Sequence, residues 1–254
     1  SNLTFDDTDI YKYLEGAAYS LSTHPDADLL KETEAIIPHL QAAQEPDGYL
    51  YTFRTMHPLS PAHPWVGQNR WEKETDLSHE LYNLGHFFEF ATAYYQATGN
   101  RVPIDMAVKA ADLLCKEFGR KDSPNIAPGH QVVEMGLAKL YRMTGKRQYL
   151  ELARRFLDNK AKDRPGKEYD QSHKPVLQQD EVVGHAVRAN YMYAGMADVA
   201  ALSGDKRYEK AIEVLWDNLV GKKLHLTGGC GGRFNGEAYG ANYELPSFCY
   251  NETC

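Results

Sequence analysis

Leu202-Ser203-Gly204-Asp205-Lys206-Arg207 is the stretch on which the fold turns. Before it, His185 to Leu202 carries Ala186, Val187, Ala189, Met192, Ala194, Met196, Val199 and Ala200 with few charges, the pattern of a helix apolar nearly all round and therefore buried. After it, Tyr208, Ile212, Leu215 and Leu219 recur at i, i+4, i+7 and i+11, a single apolar stripe on an otherwise polar helix. Between the two stands a glycine, the residue that takes positive φ without steric cost and so stops a helix. The same joint occurs at Ala97-Thr98-Gly99-Asn100-Arg101 and at Met143-Thr144-Gly145-Lys146-Arg147. Striped helices follow there too, through Ala107, Ala111, Leu114 and Phe118, and through Tyr149, Ala153 and Phe156.

The repeated unit is thus a buried helix, a hydroxyl–glycine joint and a striped helix. Its glycines lie 46 and 59 residues apart, too long and irregular for a tetratricopeptide array. An earlier pair, about 7–22 and 26–44, ends at Pro46-Asp47-Gly48 and completes four hairpins, or eight helices. Alternating inner and outer helices predict an all-α, toroid-like ring, incomplete within these residues, forming a single catalytic-type domain over 1–254. Beyond Leu219 the run Thr227-Gly228-Gly229-Cys230-Gly231-Gly232 predicts loop or short β-hairpins.

Composition removes several function classes. With 35 acidic and 28 basic residues the net charge is −7, and no Lys/Arg cluster offers a surface for nucleic acid or anionic lipid. No apolar run approaches the ~18–20 residues of a membrane span. The first residues, Ser1-Asn2-Leu3-Thr4-Phe5-Asp6-Asp7, show no signal peptide. The expected location is cytoplasmic, or periplasmic or secreted if a signal has been removed. Four cysteines are too few for a disulfide scaffold. Cys115, in an apolar helical run, is expected to be a small core residue, whereas Cys230, Cys249 and Cys254 crowd near the end of the sequence.

A polar register runs through the hairpins. His79, His130, His185 and Glu237 lie 51, 55 and 52 residues apart. Each histidine stands at the start of a buried helix, and parallel inner helices would turn these starts toward one mouth of the ring. A single histidine at a helix start is more often structural than functional; three in register with a carboxylate favour a polar pocket. His86 reads as core-facing. Glu237, among glycines, suits general acid–base chemistry if its environment raises its pKa. Glu252 and Cys254 would point the same way in an extended segment and could share a metal, but a zinc site needs three or four protein donors, so Glu-x-Cys alone is a weak signal.

In combination, several motifs resemble glycoside hydrolase family 127, the β-L-arabinofuranosidase family. They are Thr23-His24-Pro25-Asp26-Ala27, Gln44 with Pro46-Asp47-Gly48-Tyr49-Leu50, His79-Glu80-Leu81-Tyr82 and Ala93-Tyr94-Tyr95-Gln96-Ala97-Thr98-Gly99. Gly184-His185-Ala186-Val187-Arg188-Ala189, Gly236-Glu237-Ala238-Tyr239, Glu244-Leu245-Pro246 and Glu252-Thr253-Cys254 continue the resemblance along essentially the whole chain. It implies an (α/α)6 barrel with β-sandwich domains elsewhere, and a retaining exo-glycosidase acting on terminal L-arabinofuranose of glycans. It implies Glu237 as acid/base, His79, His130 and His185 as sugar-binding residues, and Glu252 and Cys254 as two of four ligands to Zn2+. The family's nucleophile, a zinc-bound cysteine, and the cysteine after it correspond to positions past Cys254, so these 254 residues alone are expected to bind zinc weakly and not to turn over. The partner implied is carbohydrate, with no nucleic acid and no membrane; a homodimer is compatible. Two rivals stand: another helical-toroid sugar enzyme, an epimerase or unsaturated-uronide hydrolase, which would not need Glu252 and Cys254, and a non-catalytic helical-repeat scaffold, which would tolerate alanine at His130 and His185.

Overall fold

A computed structural model describes residues 3–57, 63–163, 165–249 and 251. The described residues are helical with no strand, in two compact units, Ser1–Leu152 and Ala153–Cys254. The first holds α1 (Asp7–Thr23), α2 (Ala27–Ala43), the short α3 (Thr52–Thr55), α4 (Glu80–Thr98), α5 (Val102–Phe118), α6 (Val133–Thr144) and the start of α7 (Arg147–Asp158). The second holds the end of α7 with α8 (Ala186–Ser203) and α9 (Lys206–Lys222). Leaving aside the one-turn α3, these are the eight helices read from the sequence. Among the described residues, no helix is long and apolar enough to cross a membrane.

In the first unit α4 is the axis of the core. Every residue from Glu80 to Tyr94 is buried, with α1, α5 and α6 packed around it. The approach of α4 and α6 depends on two glycines. A Cβ on Gly85 would stand 2.6 Å from the Val133 nitrogen, and one on Gly136 would stand 2.9 Å from the Gly85 oxygen. Side chains at these two points would force the helices apart. The striped helix α5 behaves as its pattern predicts, with Ala107, Ala111, Leu114 and Phe118 buried.

The second unit departs from the expectation for α8. One side buries Ala186, Ala189, Met192, Met196 and Val199, but Ala197 is exposed and Tyr193, Ala194 and Ala197 line an apolar cavity with Ile212, Leu215, Trp216 and Leu219 of α9. An apolar all-round pattern records a composition that can be buried; alanine-rich faces cover little area, and within this unit α9 is the helix packed along α8. Cys115 departs too: it is half-buried on α5, where its thiol donates to the Gln148 oxygen at 3.7 Å. Burial pushes that thiol up to about 12, with Asp112 adding to the shift. Among the described residues the segment after Lys222 is loop, with one 3-10 turn at Asn235–Glu237 and two isolated antiparallel bridges, His185–Ala238 and Arg233–Ala238.

The joints have a common construction. Gly99, Gly145 and Gly204 take φ of 73°, 71° and 70° and stop α4, α6 and α8. The hydroxyl before each glycine bonds twice. Thr98, Thr144 and Ser203 donate to the carbonyls of Tyr94, Leu140 and Val199 at 2.7, 2.7 and 2.6 Å. They accept from the backbone N–H of Asn100, Lys146 and Asp205 at 3.1, 3.2 and 3.3 Å. Each hydroxyl therefore adds a second donor to a carbonyl of the last helical turn and captures a backbone N–H of the reversal into the next helix.

Candidate active site

In the first unit the loop before α4 delivers His79 in the left-handed region, φ 62°, where a side chain costs of order 1–3 kcal/mol. The ring is buried against Phe5, Tyr82, Trp65 and His130, with centroids at 5.2, 5.5, 6.4 and 5.8 Å. His130 also packs on Tyr82 at 4.2 Å, and Tyr82 lies edge-on to His86 at 4.7 Å. His79 Nδ1 lies 2.5 Å from the Leu77 carbonyl and 3.2 Å from Thr4 Oγ1, and His130 Nδ1 lies 3.0 Å from the Gln131 carbonyl. A carbonyl partner calls for a proton on Nδ1, so in the neutral form of either ring the lone pair lies on Nε2. His86 is buried, as the sequence reading had it; burial, then the charges of Lys12 and Lys139, bring its pKa down to about 3, so it stays neutral.

In the second unit Gly184, His185 and the turn at Glu237 are locked together. The Tyr239 N–H donates to the Gly184 carbonyl at 2.9 Å, and Arg233 and Ala238 exchange backbone bonds at 3.1 Å. Glu237 stands at φ 50°, after Gly236 at 72°. Its Oε2 lies 2.7 Å from His185 Nε2, with the imidazole buried and the carboxylate 45% exposed. His185 caps α8, accepting the Arg188 N–H at Nδ1 at 3.4 Å. A donor at Nδ1 places the proton on Nε2, which donates to Glu237. This tautomer is the opposite of that in His79 and His130. Tyr169 supplies a ring 5.5 Å from His185, with the Arg188 guanidinium 4.7 Å above it.

The structure thus pairs His79 with His130 in one unit and His185 with Glu237 in the other. Glu252 and Cys254, the residues expected to hold metal, lie outside the described residues. Among the described residues no three His, Cys, Asp or Glu side chains are placed to hold a metal ion. Cys230 accepts from Asn190 Nδ2 at 3.2 Å and Cys249 lies 3.5 Å from His225 Nε2. Sequence reasoning passed over Tyr82, Tyr169 and Trp65. Tyr82 stands three residues after His79, a helical neighbour that spacing could have flagged; Tyr169 and Trp65 come from loops, which have no period to read.

The whole of residues 1–254 matches the family description "Beta-L-arabinofuranosidase, GH127 catalytic domain", which places the hairpins and their histidine–carboxylate pair in a domain of the glycoside-hydrolase class. The chain belongs to glycoside hydrolase family 127. It is 34% identical over 277 residues to a non-reducing end β-L-arabinofuranosidase of Bifidobacterium longum, covering 99% of this chain and 41% of that enzyme. Among solved structures it is similar to a GH127 β-arabinofuranosidase at 54% identity and a TM-score of 0.92, over 97% of this chain and 39% of the other. It is also similar to a GH127 β-L-arabinofuranosidase of Geobacillus stearothermophilus, at 38% identity and a TM-score of 0.86, over 96% and 40% of the two chains. The chain therefore spans well under half the length of these relatives.

Proposed function

We propose that the full-length protein carrying this domain is a retaining, exo-acting β-L-arabinofuranosidase that removes terminal L-arabinofuranose from a glycan. The observation that carries this is the 2.7 Å contact between His185 Nε2 and Glu237 Oε2 on a strained, half-exposed turn, in a chain that matches the family end to end. Glu237 acts as general acid and then general base: it gives its proton to the departing glycosidic oxygen and afterwards takes one from the incoming water. The His185 Nε2–H stabilises the carboxylate form between these steps and fixes its direction. His79 and His130 bind the sugar in this reading, His79 by accepting a hydroxyl at Nε2 and His130, whose Nε2 is buried, through the ring packed on Tyr82. The nucleophile is a cysteine outside these 254 residues. The same reading assigns zinc to Glu252 and Cys254 as two of its ligands; bound there, the ion would keep a thiol deprotonated.

The test is Glu237→Gln in the full-length protein. Arabinose release from an unactivated β-L-arabinofuranoside should fall by ~10²–10⁴-fold, the usual contribution of a positioned acid/base. Undiminished release removes Glu237 from this role. Metal analysis of the same protein should find zinc, with the content falling in Cys254→Ser.

A further inference from the structure

Beneath the His79–His130 pair lie two carboxyls that the proposed chemistry does not use. Glu74, Ser78 and Glu80 are all buried, at 1%, 0% and 1% exposure. Ser78 Oγ sits between the acids, 2.9 Å from Glu74 Oε2 and 3.0 Å from Glu80 Oε2. A serine hydroxyl has one proton and cannot donate to two carboxylates at once. One acid must therefore hold a proton and donate to the serine, which passes its own on.

The surroundings decide which. Glu80 receives the Tyr49 hydroxyl at 2.6 Å on Oε1, and the Trp71 N–H at 3.0 Å from both oxygens, in addition to Ser78. Glu74 Oε1 is buried and meets no hydrogen-bond donor. A charged oxygen without a donor in such a place is costly, whereas the carbonyl of a neutral acid is tolerated. Burial pushes both carboxyls up, Glu74 to about 8 with the Glu80 charge second; the Leu81 N–H, Ser78 and the Glu80 N–H oppose the rise at Glu74, and Tyr49, Trp71, Ser78 and the charge of Arg54 oppose it at Glu80. Tyr49, Tyr51 and Arg54 are the other titratable groups acting on the pair.

Glu74 also joins the two histidine loops. Its carboxyl faces the Glu80 and Leu81 N–H groups at the first turn of α4, directly after His79. Its backbone carbonyl accepts the Gly129 N–H at 2.9 Å, directly before His130. A Cβ on Gly129 would lie 2.4 Å from the Asp76 carbonyl, so the two loops touch along their backbones.

We propose that Glu74 is a neutral carboxylic acid, donating to Ser78 as Ser78 donates to Glu80, and that it is the positioning residue that sets the spacing of His79 and His130 for the sugar. The second half rests on the sugar-binding reading of those histidines. Glutamine reproduces a neutral acid: its amide N–H can donate to Ser78. Alanine reproduces nothing. In the full-length protein, Glu74→Gln should leave the His79 and His130 imidazole NMR resonances in place and kcat/KM on a β-L-arabinofuranoside within ~3-fold. Glu74→Ala should move both resonances and lower kcat/KM on the order of 10²-fold, chiefly through KM, as expected for misplaced binding groups. Infrared spectra of the wild type at pH 7 should show a protonated-carboxyl band that Glu74→Gln removes. The proposal is overturned if that band is absent or survives Glu74→Gln, if Glu74→Gln is as damaging as Glu74→Ala, or if alanine leaves both imidazoles unmoved. Should Glu74→Ala not fold, the infrared band and the glutamine variant still decide. A wild type inactive on arabinofuranosides would sink the function proposed above while leaving the band and imidazole readouts to judge Glu74.

Discussion

Gly184 shows how much of the turn at Glu237 depends on one missing side chain. It stands at φ 76°, and a Cβ there would lie 1.8 Å from the Glu168 carbonyl. Its own carbonyl holds the Tyr239 N–H two residues beyond Glu237. Gly184→Ala combines left-handed strain with a backbone clash, so the bridge between His185 and Ala238 must open. If Glu237 has the role proposed above, the expected outcome is a loss of at least ~10²-fold in kcat/KM, because a displacement of about 1 Å would cost it its alignment. Assay of the full-length variant beside a circular-dichroism melt checks that the loss exceeds any change in folding. The glycine was visible in the sequence beside His185, but its reason was not. Glu168 lies 16 residues earlier in a loop, and no periodicity connects the two.

Among elements, the hairpins were the most legible part of the chain. Periodicity shows when one face is buried, and glycine marks the reversal, so three joints and eight helices could be read directly. The role of the hydroxyl before each glycine was not legible, since a serine or threonine near a helix end has several possible partners. The crossing of α4 and α6 was equally hidden: Gly85 and Gly136 sit inside helices, where sequence alone marks them only as weak helix formers. Gly136→Ala improves local helix propensity by ~1 kcal/mol, yet its methyl would meet Phe88 Cβ at 2.8 Å and the Gly85 oxygen at 2.9 Å. Overpacking at ~1–3 kcal/mol should win, and urea unfolding should show net destabilisation. A stabilised variant would mean that α4 and α6 can separate without loss. Gly99→Ala meets no neighbouring atom, so its cost is backbone strain alone, ~1–2 kcal/mol.

At the scale of the molecule, two buried groups give the first unit an opposed pH response. His86 is neutral in the fold with its pKa at about 3, against 6.5 when exposed. Unfolding below pH 6.5 takes up a proton, so its contribution is lost as pH falls from 6.5 toward 3. Glu74 retains its proton in the fold up to about 8, against 4.5 when exposed. Unfolding above pH 4.5 releases that proton, so its contribution is lost as pH rises from 4.5 toward 8. Between 4.5 and 6.5 the slopes, each ~1.4 kcal/mol per pH unit, cancel. Asp7, Glu15 and Glu80, whose carboxyls burial also raises, add to the Glu74 slope, so urea midpoints should fall on the alkaline side and, below this range, on the acid side. Glu74→Gln should flatten the alkaline limb and His86→Gln the acid one; a limb unchanged by its own substitution refutes that assignment. The Glu74–Ser78–Glu80 cluster was not legible, because Glu74 looks like any charged loop residue until burial is known. That His79, His130 and His185 stand at or just before the starts of α4, α6 and α8 was legible, since their spacing shares the hairpins' period.

The three tryptophans divide between the units in a useful way. Trp65 and Trp71 belong to the first, Trp65 with its ring 6.4 Å from that of His79 and Trp71 bonded to Glu80, while Trp216 stands 62% exposed in the second. Indole emission is therefore a built-in pair of reporters. A red-edge component should report Trp216, while the bluer emission of Trp65 and Trp71 reports on the surroundings of His79, where the sugar is proposed to dock, with no dye or label added.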